Sequence, residues 1–409
     1  MEKSRRKWIL VAAARPNFMK IAPLIRAIHV HNGANEDDIQ PLLVHTGQHY
    51  DVNMSDAFFS DLRLPEPDVH LGVGSGGHGE QTGKVLIEFE KVLLKEKPDL
   101  VIVVGDVNST LACTLAAAKL HIPVAHVEAG LRSFDRNMPE EINRLVTDAL
   151  SDYLFTPSPD GDENLLKEGI PREKIFLVGD IMIDSLLFNL ENAKKTDILE
   201  RLSIKTNQQP GTNNVQSTIS NHQSIKPYAL LTLHRPSNVD NKTSLGRIIQ
   251  GLLEVASKIP ILFPIHPRTK KQVKLFGMES ALEFHASPDL TPEDYHEGDV
   301  PKRKIHCFEP LGYLDFLNLM AHAKIVLTDS GGIQEETTVL NIPCITLRDT
   351  TERPITLTEG TNVLVHDDPH KIVAEVTKVL EGKARQGTCP SIWDGHTAER
   401  IVEVLAKAL

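Results

Sequence analysis

The stretch Val103–Leu120, VVGDVNSTLACTLAAAKL, starts as a β-branched run, turns at Gly105-Asp106 and continues as an alanine-rich segment of helical character. A buried strand feeding a helix through a short polar turn is the repeating unit of a parallel sheet. Asn108 and Ser109 stand where either could cap the helix. Asp106 is left at the carboxyl end of the strand.

Working outward, the same alternation recurs along the chain. Trp8–Ala14, Pro41–His45, Asp99–Val104, Pro123–Val127 and Tyr153–Phe155 read as strands of a first half. Ala229–Leu233, Ile261–Ile265, Lys304–Phe308, Ile325–Thr328 and Cys344–Leu347 read as strands of a second. Each is followed by turn residues and an amphipathic stretch, so the fold class is α/β, with two Rossmann-like, doubly wound parallel-sheet domains. A length of 409 residues suits two domains. The first is expected over residues 1–178 and the second over 179–393, with a C-terminal helix within 394–409 packing back on the first. Two polar insertions, Lys205–Pro227 and a charged one near 279–304, are expected on the surface, outside either core.

Composition narrows the function classes. With 44 basic against 55 acidic residues and a net charge of −11, nucleic acid and anionic membrane surfaces are disfavoured as partners. No apolar run reaches the 18 or so residues of a membrane span. Cys113, Cys307, Cys344 and Cys389 form no C-x-x-C pair, so neither a zinc site nor a disulfide framework is expected, and a reducing cytoplasm is the simplest compartment. The start MEKSRRKWILVAAARP superficially resembles a signal peptide, but its apolar run is short and meets Arg15-Pro16, which favours a first strand. Gly72–Gly77, GVGSGG, has dinucleotide-loop spacing but follows PDVHL rather than a buried strand; it reads as a loop leading into a helix over Glu80–Lys95.

In doubly wound sheets ligands bind at the carboxyl ends of the strands. Those positions hold Arg15, Gln48-His49, Asp106, Glu128, His234, His266, Ser330 and Arg353, a more charged set than structural loops require. Asp106 alone could be a helix cap. Glu128 arrives at the mouth of the next strand, however, and two neighbouring carboxylates repel unless a site uses the repulsion to tune a pKa. Glu140 and Glu141 open a helix after Pro139, where acidic residues commonly complement the helix dipole; one of them remains a candidate third functional carboxylate. The second half supplies positive charge, with His234-Arg235, His266 and Arg268, Arg348 and Arg353 reading as a phosphate-facing wall. In Thr328–Glu336, TDSGGIQEE, Ser330-Gly331-Gly332 can bring backbone N–H groups to a diphosphate at a helix start, and Glu336 can accept hydrogen bonds from a sugar diol.

These segments resemble the non-hydrolysing UDP-N-acetylglucosamine 2-epimerases. The matching motifs are ARPNFMKIAPL, HTGQHYD, VVGDVNSTLA, HVEAGLRSFDRNMPEEINR, VGDIMID, LHRPSN, FPIHPRT, LTDSGGIQEE and RDTTERP, in order over nearly the whole chain apart from the two insertions. The resemblance implies a glycosyltransferase B-type architecture with an active-site cleft between the domains. It implies interconversion of UDP-GlcNAc and UDP-ManNAc by anti elimination of UDP to 2-acetamidoglucal and re-addition, with no metal or other cofactor and commonly as a homodimer. Asp106, Glu128 and Glu140 are then the acidic catalytic set, with acid and base undecided, and His234 lies near the leaving phosphate. Arg15, Lys20, Arg132, His266, Ser330, Gly331, Gly332, Glu336 and Arg353 fall to UDP-sugar binding. Two departures stand out: Ala13 replaces a glycine before the first-loop basic pair, and the second loop keeps Gln48 and His49 but has Asp51 at a second glutamine. Gln48 and His49 therefore read as remnants of a regulatory site. The rival readings are a hydrolysing epimerase, an epimerase of a diacetamido UDP-sugar, a retaining glycosyltransferase and a nucleotide-sugar sensor.

Overall fold

The structure is a computed structural model that describes residues 6–13, 15–35, 38–47, 64–206, 224–297 and 300–409. The chain divides into two compact units. The first comprises residues 1–189, 352–355 and 390–409, and the second residues 190–351 and 356–389. The dividing point at Asn189 lies inside the helix Ile181–Ala193, later than the end of the preceding sheet suggests.

The first unit is built on seven parallel strands, β1 (Arg6–Ala12), β2 (Ile39–His45), β3 (Val69–His70), β4 (Leu100–Val104), β5 (Val124–Val127), β6 (Tyr153–Thr156) and β7 (Ile175–Leu177), in the order β3-β2-β1-β4-β5-β6-β7. All five residues of β4 are buried, as helices on both faces of a parallel sheet require. The helix Asn108–Lys119 contributes Ala112, Cys113, Ala116 and Ala117 to a core shared with Val85, Phe89 and Leu93 of the helix His78–Glu96. Small side chains on one helix make room for large ones on the other. Each fully buried Phe, Leu or Val there contributes about 1.5–3 kcal/mol relative to exposure. The C-terminal helix Thr397–Ala408 belongs to this unit, and the Asp184 carboxylate accepts hydrogen bonds from the N–H groups of Thr397 and Ala398 at its start (3.1 and 2.7 Å).

The cap expected at Asn108 or Ser109 is not made. Val107 is the N-cap, with no side-chain bond, because Asn108 donates instead to Gln81 Oε1 (2.8 Å) and Ser109 Oγ meets Thr46 Oγ1 (3.0 Å). Tertiary partners have taken both polar side chains.

In the second unit, after the short antiparallel pair β8 (Lys205–Thr206) and β9 (Ser224–Ile225), come β10 (Ala229–Thr232), β11 (Ile261–Pro264), β12 (Leu282–Phe284), a second small pair β13 (His296–Glu297) and β14 (Val300–Pro301), then β15 (Ile305–Phe308), β16 (Ile325–Thr328), β17 (Cys344–Thr346) and β18 (Asn362–Leu364). The main sheet is parallel throughout, in the order β12-β15-β11-β10-β16-β17-β18. One expectation fails here: the charged segment near 279–304 is no mere surface insertion. It supplies the edge strand β12 and the buried side chains Leu282, Leu290 and Tyr295, whose hydroxyl donates to Leu202 O (2.8 Å). The middle of the Lys205–Pro227 insertion lies outside the described residues.

In both sheets the chain reverses its direction of travel at one place: between β1 and β4 in the first, between β10 and β16 in the second. Crevices at such switch points are where this fold class holds ligands.

Candidate active site

At the first switch point the chain leaves β4 through Gly105, which has φ +66°. A Cβ there would lie 3.0 Å from Lys20 Nζ and 3.5 Å from Glu128 Oε2, so the bare backbone lets these two groups close over the strand end. Lys20, from the helix Arg15–Ala34, pairs with Glu128 Oε2, and both residues are buried. Glu128 sits immediately after β5 with φ +69°, a left-handed conformation that costs a non-glycine residue roughly 1–3 kcal/mol and persists only where the surroundings impose it. Its Oε1 is buried without a hydrogen-bond partner. Strain and an open oxygen on one buried carboxylate mark a group held for use.

Asp180, in the motif VGDIMID, completes this cluster and did not emerge as a site residue from the sequence. It is fully buried, with a carboxylate oxygen within 4.8 Å of one on Glu128. Burial first, and the Glu128 charge second, push its carboxyl up to about 7.

Asp106 lies half-buried one residue after Gly105, its Oδ2 bound by Arg144 Nη1 (2.6 Å) and its carbonyl by Asn143 Nδ2 (2.8 Å). Arg144 also reaches Glu141 Oε2 (2.6 Å), whose carboxylate further accepts the N–H groups of Ser133 and Phe134 (both 3.0 Å). Burial works against the charge of Glu141, yet the Ser133 N–H and Arg144 outweigh it and hold its carboxyl below the usual range. Glu141 is thus the structural member of the glutamate pair. Glu140, half-exposed, makes no hydrogen bond or ion pair among the described residues.

Arg132 has a different place from a ligand-facing one. Its Nε and Nη2 donate to Glu168 (2.8 and 2.6 Å), Nη2 also reaches Asp148 Oδ2 (2.7 Å) and Nη1 donates to Leu131 O (2.8 Å). Asp148 in turn holds His126 Nδ1 (2.6 Å), whose Nε2 faces Gly105 O (2.9 Å). Most of the five guanidinium N–H groups are therefore engaged in a buried bracket behind the strand end.

At the second switch point Asp329, immediately after β16, is fully buried beneath the end of β10. It accepts the backbone N–H groups of His234 (2.9 Å) and Arg235 (2.8 Å) and pairs with His234 Nδ1 (2.9 Å). Burial opposes its charge, but His234 and the two N–H groups hold the Asp329 carboxyl below its usual range. With Nδ1 anchored, the half-exposed His234 ring has Nε2 left for a ligand. His266 lies beside it, ring centroids 5.9 Å apart, and its Nδ1 accepts the Arg268 N–H (3.2 Å). Ser330 is the N-cap of the helix Gly331–Val339, and its own N–H is taken by Thr328 Oγ1 (2.9 Å). Gly331 and Gly332 open that helix, where backbone N–H groups have no partner within the helix. Glu336, about one and a half turns on, is buried.

Arg353 packs with the first unit, not the second, and its charge acts on Asp180. Gln48 and His49 lie outside the described residues, as does the side chain of Arg15. Among the described residues no helix is long and apolar enough to cross a membrane. A cavity of about 300 Å³ in the second unit is lined by Tyr228 and Pro260, which precede β10 and β11, so it opens at the opposite strand ends from His234 and Ser330.

A profile of the UDP-N-acetylglucosamine 2-epimerase family matches residues 31–406. The UDP-N-acetylglucosamine 2-epimerase of Methanocaldococcus jannaschii is 46% identical over 98% of both chains. The UDP-2,3-diacetamido-2,3-dideoxy-D-glucuronate 2-epimerase of Pseudomonas aeruginosa is 38% identical over 98% of this chain and 99% of its own. The crystal structure of the M. jannaschii enzyme in complex with UDP-GlcNAc and UDP superposes with a TM-score of 0.81 at 44% identity, covering 98% of this chain and 99% of that one.

Proposed function

The chain belongs to the UDP-N-acetylglucosamine 2-epimerase family, and on that premise we propose that it inverts C2 of UDP-GlcNAc to give UDP-ManNAc by eliminating and re-adding UDP. The C2 proton is not adjacent to a carbonyl, so its direct removal is implausible. Loss of UDP in the same event leaves 2-acetamidoglucal, and return of UDP after protonation on the other face completes the inversion. Breaking C2–H and C1–O together calls for a base at C2, negative charge near C1 and donors for the departing diphosphate.

The observation that carries this reading is the buried Glu128, strained, salt-bridged to Lys20 and with one oxygen unpartnered. Glu128 exchanges the proton, with Asp106 and Glu140 as the further carboxylates. His234, oriented by Asp329, and the N–H groups of Gly331 and Gly332 take the diphosphate. Ser330, His266, Arg15, Lys20 and Arg353 add polar and positive groups, and Glu336 reads the ribose. Arg132 has a supporting role. A reaction quenched at partial conversion should contain UDP and 2-acetamidoglucal beside both epimers; accumulation of free N-acetylmannosamine would instead assign a hydrolysing epimerase.

The P. aeruginosa relative supports one alternative substrate, a diacetamido glucuronate carried on UDP. Turnover of both UDP-sugars side by side decides between them by the ratio of kcat/KM.

A further inference from the structure

Asp180 starts the helix Ile181–Ala193, and its Oδ1 accepts the Met182 N–H (2.9 Å), the ordinary bond of a helix-capping carboxylate. A cap needs only that oxygen. The other, Oδ2, is buried without a hydrogen-bond partner, and so is Glu128 Oε1. One oxygen from each carboxylate lies within 4.8 Å of the other's, a gap that a water or one substrate atom can bridge. Asparagine or serine would cap this helix as well without burying a second charge beside Glu128. The charged groups facing Asp180 within the first unit are Glu128, Lys20 and Arg353; Lys20 is committed to Glu128 Oε2, so the ionised state of that pair belongs to Glu128.

We propose that Asp180 and Glu128 form a carboxyl dyad that holds one proton at rest, on Asp180, which leaves Glu128 as the carboxylate that exchanges a proton with C2. In one direction the C2–H bond breaks as UDP leaves and its proton goes to the Glu128 carboxylate, so the dyad then holds two protons, one on each carboxyl. In the reverse direction Glu128–OH gives its proton to C2, the glucal double bond is consumed as UDP returns, and Glu128 is again the carboxylate while Asp180 keeps its own proton. Asp180 acts through Glu128 and is a positioning residue, not one that touches the sugar. The inference rests on the assignment of Glu128 to proton exchange.

The energetic support is the upward displacement of the Asp180 carboxyl to about 7, first by burial and then by Glu128. Two carboxyls at close quarters cannot both ionise cheaply, so one keeps its proton near neutral pH. The sign of the pH effect follows. A carboxyl whose pKa rises on folding binds its proton more tightly in the folded state, so wild-type stability falls as pH rises from about 4 toward about 7. Asp180→Asn removes that fall while preserving the helix cap.

The test combines two readouts on the full-length protein. In the first, the melting temperatures of wild type and Asp180→Asn are compared between about pH 5 and about pH 8, and the buried aspartate is followed by carbon-13 NMR of labelled protein. The dyad predicts that the variant gains on the wild type as pH rises, and that one wild-type aspartate carboxyl titrating near neutral pH disappears in the variant. In the second, C2 deuterium exchange with UDP-GlcNAc is measured across the same range. The variant should keep KM within about twofold, lose no more than about 10-fold in kcat and lose the limb of the pH–rate profile near neutrality, with Asp180→Glu restoring that limb. An unchanged pH–rate profile in Asp180→Asn, or no aspartate titrating near neutral pH in the wild type, would overturn the dyad. Absence of exchange in the wild type would fall on the epimerase reading, while the titration would still decide the shared proton.

Discussion

Past the carboxyl ends of its strands the first unit holds buried carboxylates, Glu128 after β5 and Asp180 after β7, with a single lysine committed to one of them. Between β10 and β16 the second unit holds a histidine, a glycine-rich helix start and the carboxylate of Asp329, whose charge is spent on two backbone N–H groups and His234. The topology places a ligand crevice at the same point in each sheet, yet the chemistry is opposite. In the first unit each carboxylate keeps an oxygen without a hydrogen-bond partner, and burial beside Glu128 raises the proton affinity of Asp180; in the second Asp329 is well supplied with donors, which hold its charge and aim the histidine. A single sheet architecture can therefore make a proton-handling end or an anion-holding end, according to how many N–H donors surround the aspartate or glutamate after the strand.

Breaking the first end alone should have the largest consequence. Glu128→Gln keeps the shape but cannot exchange a proton, and C2 exchange should fall by about 10²–10⁴-fold, read by NMR, while UDP binding, read by calorimetry, stays measurable. Near-normal exchange would remove Glu128 from the chemistry. Arg132→Met strands Asp148 without its guanidinium partner. Both side chains are buried, so the loss should be about 3–5 kcal/mol in a denaturant melt, separating the bracket from ligand binding. If stability held and only UDP-sugar affinity dropped, Arg132 would be a ligand contact after all.

The second end is broken by Asp329→Asn. The histidine loses the carboxylate that orients it, and turnover should fall by about 10–100-fold. Little change in C2 exchange at saturating substrate, with weaker UDP binding, would sharpen the contrast further by confining His234 to the diphosphate. The smallest effect belongs to Gly105→Ala, which adds a Cβ 3.0 Å from Lys20 Nζ at φ +66°. A destabilisation of about 1 kcal/mol with a several-fold loss of exchange is expected, since Lys20 has a flexible stem that can yield. An unchanged rate would show that the Lys20–Glu128 contact tolerates displacement.

Much of this was legible in the sequence, and the exceptions have physical causes. Strands such as Leu100–Val104 and Ile325–Thr328 are buried on both faces and so read as continuous apolar runs. The short edge strands Val69–His70, Ile175–Leu177, Leu282–Phe284 and Asn362–Leu364 are two or three residues long and partly exposed, too brief to show any period. In the candidate site, Glu128 and His234 stand out as polar residues directly after apolar runs. Asp329 carries the same signal, directly after Ile325–Thr328, but the glycines beside it drew the reading toward backbone. Asp180 was hidden because it follows the half-exposed strand Ile175–Leu177 and looks like any helix cap; its neighbour Glu128 lies 52 positions earlier, as the two numbers give. Arg132 and Glu141 look functional in sequence, because only the folded chain shows the partners that absorb them.

The central claim is that the first unit's carboxylates exchange the C2 proton while UDP departs and returns. Incubation with UDP-GlcNAc in deuterated water, followed by proton NMR, tests it most directly. The account predicts deuterium at C2 in the recovered UDP-GlcNAc and in newly formed UDP-ManNAc. UDP-ManNAc formed with its C2 hydrogen fully retained, or no incorporation into either sugar, would contradict it.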